Sequence, residues 1–163
     1  MSNTDRIEKK TVLRAPRARV WRALTDSKQF GSWFGMRFDA PFLAGAKMTG
    51  TIAPTTVDPE IAEHQKPYEG FAFSIHVETI EPERFFSFRW HPHAVEPTRD
   101  YSSEPMTLVA FELEEVPGGT QLTVSESGFD GIPLDRRAKA FTANGEGWAI
   151  QLVLIGKFLE QTA

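Results

Sequence analysis

The sequence predicts an α+β fold in which a curved antiparallel β-sheet wraps around a long C-terminal α-helix, with two short helices after the first strand. Three features point there. Residues 134–159 hold the longest helical pattern, five segments between residues 46 and 127 alternate with period two, and short turns join two pairs of those segments. With 163 residues, 40% of them hydrophobic, the chain is expected to form one domain over 1–163 whose core needs neither metal nor disulfide.

After an amphipathic start, residues 15–24 open with Pro16, which a first helical turn tolerates, and place Val20, Trp21 and Leu24 on one face. A second short helix begins at Asp26, whose carboxylate can cap it, carries Phe30, Trp33 and Phe34, and stops at Gly35. The strand candidates follow at 46–53, 71–80, 85–90, 106–116 and 120–127. In 71–80 the alternation sets Phe71, Phe73, Ile75 and Val77 against Ser74, His76 and Glu78, so one face is buried and one is wet. The turns at 81–84 and 117–119 are short enough for hairpins.

Between Trp148 and Leu159 only Gln151, Gly156 and Lys157 are not apolar, a wider arc than a surface helix needs. A sheet wrapped around the helix accounts for that breadth. A homodimer contact through Ile150, Leu154 and Phe158 accounts for it equally. Gly145 and Gly147, costly inside a helix, are expected to mark a kink or close packing on the sheet.

Composition removes several functions. A net charge of −4 argues against a general nucleic-acid-binding face, and the absence of cysteine removes disulfides, thiolate metal sites and a cysteine nucleophile. The start MSNTDRIEKK has no apolar stretch of a secretory signal, and no run approaches the roughly 18 apolar residues of a membrane span. A cytoplasmic protein is expected. There is no GxGxxG after a strand, no GxxxxGK[ST] and no GxSxG, so nucleotide loops and a serine elbow are unsupported, and no cofactor is predicted.

Strand parity locates any cavity. In an antiparallel meander the connections alternate ends, so the two tight turns share one end and the long segments 54–69, 91–105 and 128–133 share the other. His64, His91 and His93 collect there with Tyr68, Asp100, Tyr101, Glu104, Asp130, Arg136 and Arg137. His91-Pro92-His93 lacks the third ligand a catalytic zinc needs, so no metal is expected. Period two carries Leu122 and Val124 on to Glu126 and turns that carboxylate inward, where it must be paired or protonated. Arg89 or Arg136 is the expected partner.

The whole order, with APRARVWRALTD, GSWFG and GEGWAIQLVLIGKFLE, resembles the START-like SRPBCC superfamily, in the branch of the C-terminal domain of the activator of heat-shock protein 90 ATPase. The resemblance implies a helix-grip fold enclosing an apolar cavity, used across the superfamily for lipids, sterols, polyketides or plant hormones. It brings no universal catalytic motif, so no catalytic residue is assigned. The co-chaperone activator contacts its chaperone through a further N-terminal domain, for which these 163 residues leave no room.

The leading expectation is therefore a small hydrophobic molecule bound between the sheet and the C-terminal helix. Its apolar lining is expected from Trp33, Phe34, Phe71, Phe73, Trp90, Phe111, Trp148 and Leu152, with Glu126, Arg89 or Tyr68 orienting a polar end. The alternatives are a chaperone or other protein-interaction module, and a cyclase or hydrolase using Glu126 or His91 as general acid/base.

Overall fold

A computed structural model describes residues 5–96 and 98–162. Strand β1 (Arg6–Leu13) leads into α1 (Arg17–Thr25) and α2 (Ser27–Phe34), followed by β2 (Met36–Phe38), β3 (Lys47–Ile52) and α3 (Pro59–Gln65). Then come β4 (Ala72–Glu81), β5 (Phe85–Trp90), β6 (Thr107–Val116), β7 (Gly119–Ser127) and α4 (Leu134–Gln161). The seven strands form one antiparallel sheet in the order β1-β7-β6-β5-β4-β3-β2. This is the helix-grip arrangement, with α4 lying on the sheet and against α1 and α2.

The local chemistry explains the short helices. Asp26 Oδ1 accepts from the backbone N–H of Lys28 and of Gln29, which satisfies donors that open α2, and Gly35 ends the helix at a φ of 99° that a side chain would resist. Phe30 of α2 then enters a cluster of rings drawn from the sheet and the segment before β3. Its centroid lies 4.7 Å from Phe34, 5.1 Å from Trp33 and 5.6 Å from Phe42. Such pairs each add roughly 0.5–1.5 kcal/mol beyond area burial, so the start of the chain is tied firmly over the sheet.

Three expectations change. Residues 54–69 are not an irregular loop but contain α3 and a 3₁₀ turn at Lys66–Tyr68. Asp58 caps α3 through the N–H groups of Glu60 and Ile61, and Pro59 sits where a helix start accepts proline. Secondly, α4 is unbroken over 28 residues, and a Cβ added at Gly147 would meet nothing within 4 Å, so that glycine leaves open space rather than close packing. Thirdly, Leu154 and Phe158, read as a dimer face, are buried, because α1 and α2 cover the side of α4 that the sheet does not. Arg19 of α1 lies over the Phe158 ring at 5.5 Å. On α4, only Leu134, Ile150 and Val153 remain as exposed large apolar residues. Among the described residues no helix is long and apolar enough to cross a membrane.

Candidate functional site: an aromatic cavity backed by a buried carboxylate

The long connections after β3 and β5 meet at one end of the sheet and roof a cavity of about 380 Å³, within the size range of small-molecule sites. Phe34, Phe71, Phe73, Trp90 and Trp148 form its apolar wall. Ile61, His64 and Tyr68 border it from the α3 side, and His91, His93 and Val95 from the loop after β5. On α4 the lining residues Asn144, Gly147, Trp148 and Gln151 recur at helical spacing on one face.

Behind that wall lies Glu126, fully buried on β7. Four donors converge on its carboxylate. Trp148 Nε1 donates to Oε1 at 2.8 Å, Trp90 Nε1 to Oε2 at 2.8 Å, and Thr107 Oγ1 to Oε2 at 2.5 Å. Asn144 Nδ2 donates to both oxygens, at 2.9 and 3.1 Å. The expected arginines are elsewhere. Arg89 is half-exposed and pairs with Glu78 at 3.1 Å, since on β5 Phe88 and Trp90 point inward and the residue between them points out. Arg136 pairs with Glu104 at 2.8 Å. Glu126 is thus held by neutral donors that also fix the cavity's two tryptophan rings, whose centroids are 5.8 Å apart.

The roof is latched rather than loose. Glu104 takes Arg136 on Oε1 and Arg99 on Oε2, Arg99 also reaches Asp135, and Arg136 Nη1 donates to the Pro92 carbonyl at 2.7 Å. Arg136 also covers the Tyr101 ring at 4.7 Å. His91 Nε2 lies 3.0 Å from the Glu104 carbonyl, so that nitrogen carries the proton. On the other side, Lys157 Nζ pairs with Asp58 at 2.6 Å and Gln161 donates to the Val57 carbonyl at 3.0 Å, tying the start of α3 to α4.

Of the residues named from the sequence, Phe34, Tyr68, Phe71, Phe73, Trp90 and Trp148 lie on the cavity. Trp33 is in the core, its Nε1 donating to the Ala23 carbonyl at 2.8 Å. Phe111 is core beneath Trp148, Leu152 packs partly buried against the core, and Arg89 is on the outer face. Asn144, Gly147 and Gln151 were missed. Spacing on one helix was the available signal, since residues three and four apart share a face: Asn144 and Gln151 lie four and three residues from Trp148, and Gly147 lies three and four residues from Asn144 and Gln151.

Burial holds the His93 imidazole below its ordinary value, and Lys139 and Arg136 push it the same way. Asp100 is held low by its hydrogen bonds to Ser102 and by His91. Among the described residues no group of three His, Cys, Asp or Glu side chains is placed to hold a metal ion.

These features coincide with a family. The sequence profile of the Activator of Hsp90 ATPase homolog 1-like protein family matches residues 14–160, so the chain belongs to that family. No curated protein sequence matches it significantly. Among solved structures it resembles protein MLL2253 from Mesorhizobium loti, with a TM-score of 0.70 at 22% identity over 97% of this chain and 98% of that one. Protein NE0264 from Nitrosomonas europaea gives 0.69 at 20% identity, over 99% and 97%. DynU16, a protein in the dynemicin biosynthetic locus, gives 0.66 at 25% identity over 96% of this chain, which spans only 47% of DynU16.

Two outcomes follow from this geometry. Glu126→Gln sets an N–H₂ group against donors that now point at an oxygen, and should lower stability by about 2–3 kcal/mol in urea unfolding. A loss under about 0.5 kcal/mol would mean the carboxylate does not organise the wall. For His93, the unfolded chain takes up a proton near pH 6.5 while the folded chain resists until lower pH. Stability should therefore fall as pH drops below about 6.5, and His93→Asn, which tolerates the φ of 50°, should flatten that step in thermal unfolding across pH 5–8.

Proposed function

We propose that this chain binds a small, largely apolar molecule in the cavity between α4 and the sheet, without transforming it. The observation that carries this reading is an aromatic-lined space of about 380 Å³ kept open by a helical glycine, where a side chain would have found room. Apolar contact supplies most of the affinity in such sites, and a few polar groups orient the ligand. Acid/base catalysis by Glu126 fits less well, because the carboxylate sits behind the wall and spends both oxygens on structural donors. A chaperone partner is suggested by the family's name alone. DynU16 comes from a biosynthetic locus, a setting in which a small-molecule site has a use.

A panel of lipids, flavonoids and polyketides, screened by thermal shift and native mass spectrometry, tests the proposal. A ligand at a hundredfold excess over its Kd should stabilise the fold by about 2.7 kcal/mol. Gly147→Leu should fill the cavity, keep or raise helix stability, and abolish that shift. Hits that survive unchanged in Gly147→Leu, or no hits at all, would contradict it.

A further inference from the structure

The inner wall and the mouth of the cavity differ in polar chemistry. The indole and amide donors of the inner wall are engaged within the protein, whereas His64, Tyr68 and His93 border the mouth with no side-chain hydrogen bond among the described residues. The indole N–H groups of Trp90 and Trp148 and the amide of Asn144 go to Glu126, and His91 Nε2 goes to the Glu104 carbonyl. The remaining amides meet at the Phe34 carbonyl, an end-of-helix acceptor left over from α2, which takes Gln65 Nε2 at 3.2 Å and Gln151 Nε2 at 3.1 Å.

The two glutamines differ at their other end. Gln65 Oε1 accepts the backbone N–H of Thr55 at 2.7 Å, whereas Gln151 Oε1 is buried and has no hydrogen-bond partner among the described residues. The bond to Phe34 fixes which end of the Gln151 amide is oxygen, so this acceptor is a property of the fold. An unpaired buried carbonyl is costly and calls for a donor. Two helical turns earlier, Asn144 gives its N–H₂ to Glu126 and must turn Oδ1 away from that carboxylate. Between these residues Gly147 leaves the helix uncovered.

We infer that the ligand is a neutral, ring-bearing alcohol or phenol whose O–H donates to Gln151 Oε1 while its ring lies against Trp90, Trp148 and Phe34. This rests on the cavity being a binding site. An anionic oxygen at this position is disfavoured on the same geometry, because it would meet the Gln151 carbonyl with the Glu126 carboxylate behind the wall.

Three probes of nearly equal shape decide the matter by isothermal titration with the full chain at pH 7.5: 2-naphthol, 2-methoxynaphthalene and 2-naphthoate. The alcohol should bind about tenfold tighter than its ether, which cannot donate, and the carboxylate weaker than either. Gln151→Met should weaken 2-naphthol by about tenfold and leave the ether unchanged. The ether matching the alcohol, the carboxylate binding tightest, or Gln151→Met weakening alcohol and ether alike would each overturn the inference. Binding of all three without preference, lost in Gly147→Leu, would overturn the donor alone, whereas no binding by any probe would overturn the cavity reading with it. The wild-type comparison needs no variant to fold.

Discussion

A carboxylate with no exposed surface must find partners inside the protein, and at Glu126 those partners are neutral N–H and O–H groups drawn from three other elements. β5 supplies Trp90, β6 supplies Thr107, and α4 supplies Asn144 and Trp148. Glu126 itself is registered against Val109 of β6 and Ile7 of β1, so its position is set by two ladders before any side chain reaches it. Removing one donor would leave part of a buried charge unanswered. The two indole rings are consequently held by their nitrogen ends, and their faces are left to the cavity.

The cavity inherits its character from that arrangement. Indole N–H groups in a binding wall would ordinarily be available to a ligand, but here both are turned inward and engaged. The same economy recurs at the Phe34 carbonyl, where two glutamine amides satisfy the end of α2 and leave one amide carbonyl, that of Gln151, unpaired among the described residues. The roof above is fastened at both sides by ion pairs and hydrogen bonds to α4, through Glu104 and through Asp58. A long helix that contributes latch residues, wall and floor makes the site depend on one element, which is why the open space at Gly147 has such direct consequences.

Much of the fold was legible because period two and period 3.6 each report one buried face. Leu122, Val124 and Glu126 were read inward correctly, since β7 is flanked by strands on both sides and its inner face is uniformly buried. The partner of Glu126 was not, although the same alternation on β5 already opposed Arg89 to Phe88 and Trp90. Charge suggested an arginine where geometry offered an indole. The helix at Pro59–Gln65 was also within reach, because Asp58-Pro59 is a cap followed by the residue that best tolerates a first turn. What no local pattern could supply is the meeting of Gln65 and Gln151 on one carbonyl, 86 residues apart in the chain, which only the packing of α2, α3 and α4 in the folded protein brings about.

The central claim is that Glu126 holds the tryptophan wall, and hydrogen exchange of the four indole N–H groups by NMR tests it most directly. Trp90 and Trp148 should exchange slowly, as slowly as Trp33, whose N–H is sealed on the Ala23 carbonyl, while Trp21, which has no indole hydrogen bond among the described residues, should exchange fast. In Glu126→Gln the first two should lose protection and Trp33 should keep it. Trp90 and Trp148 exchanging as fast as Trp21 in the unaltered protein would contradict the account.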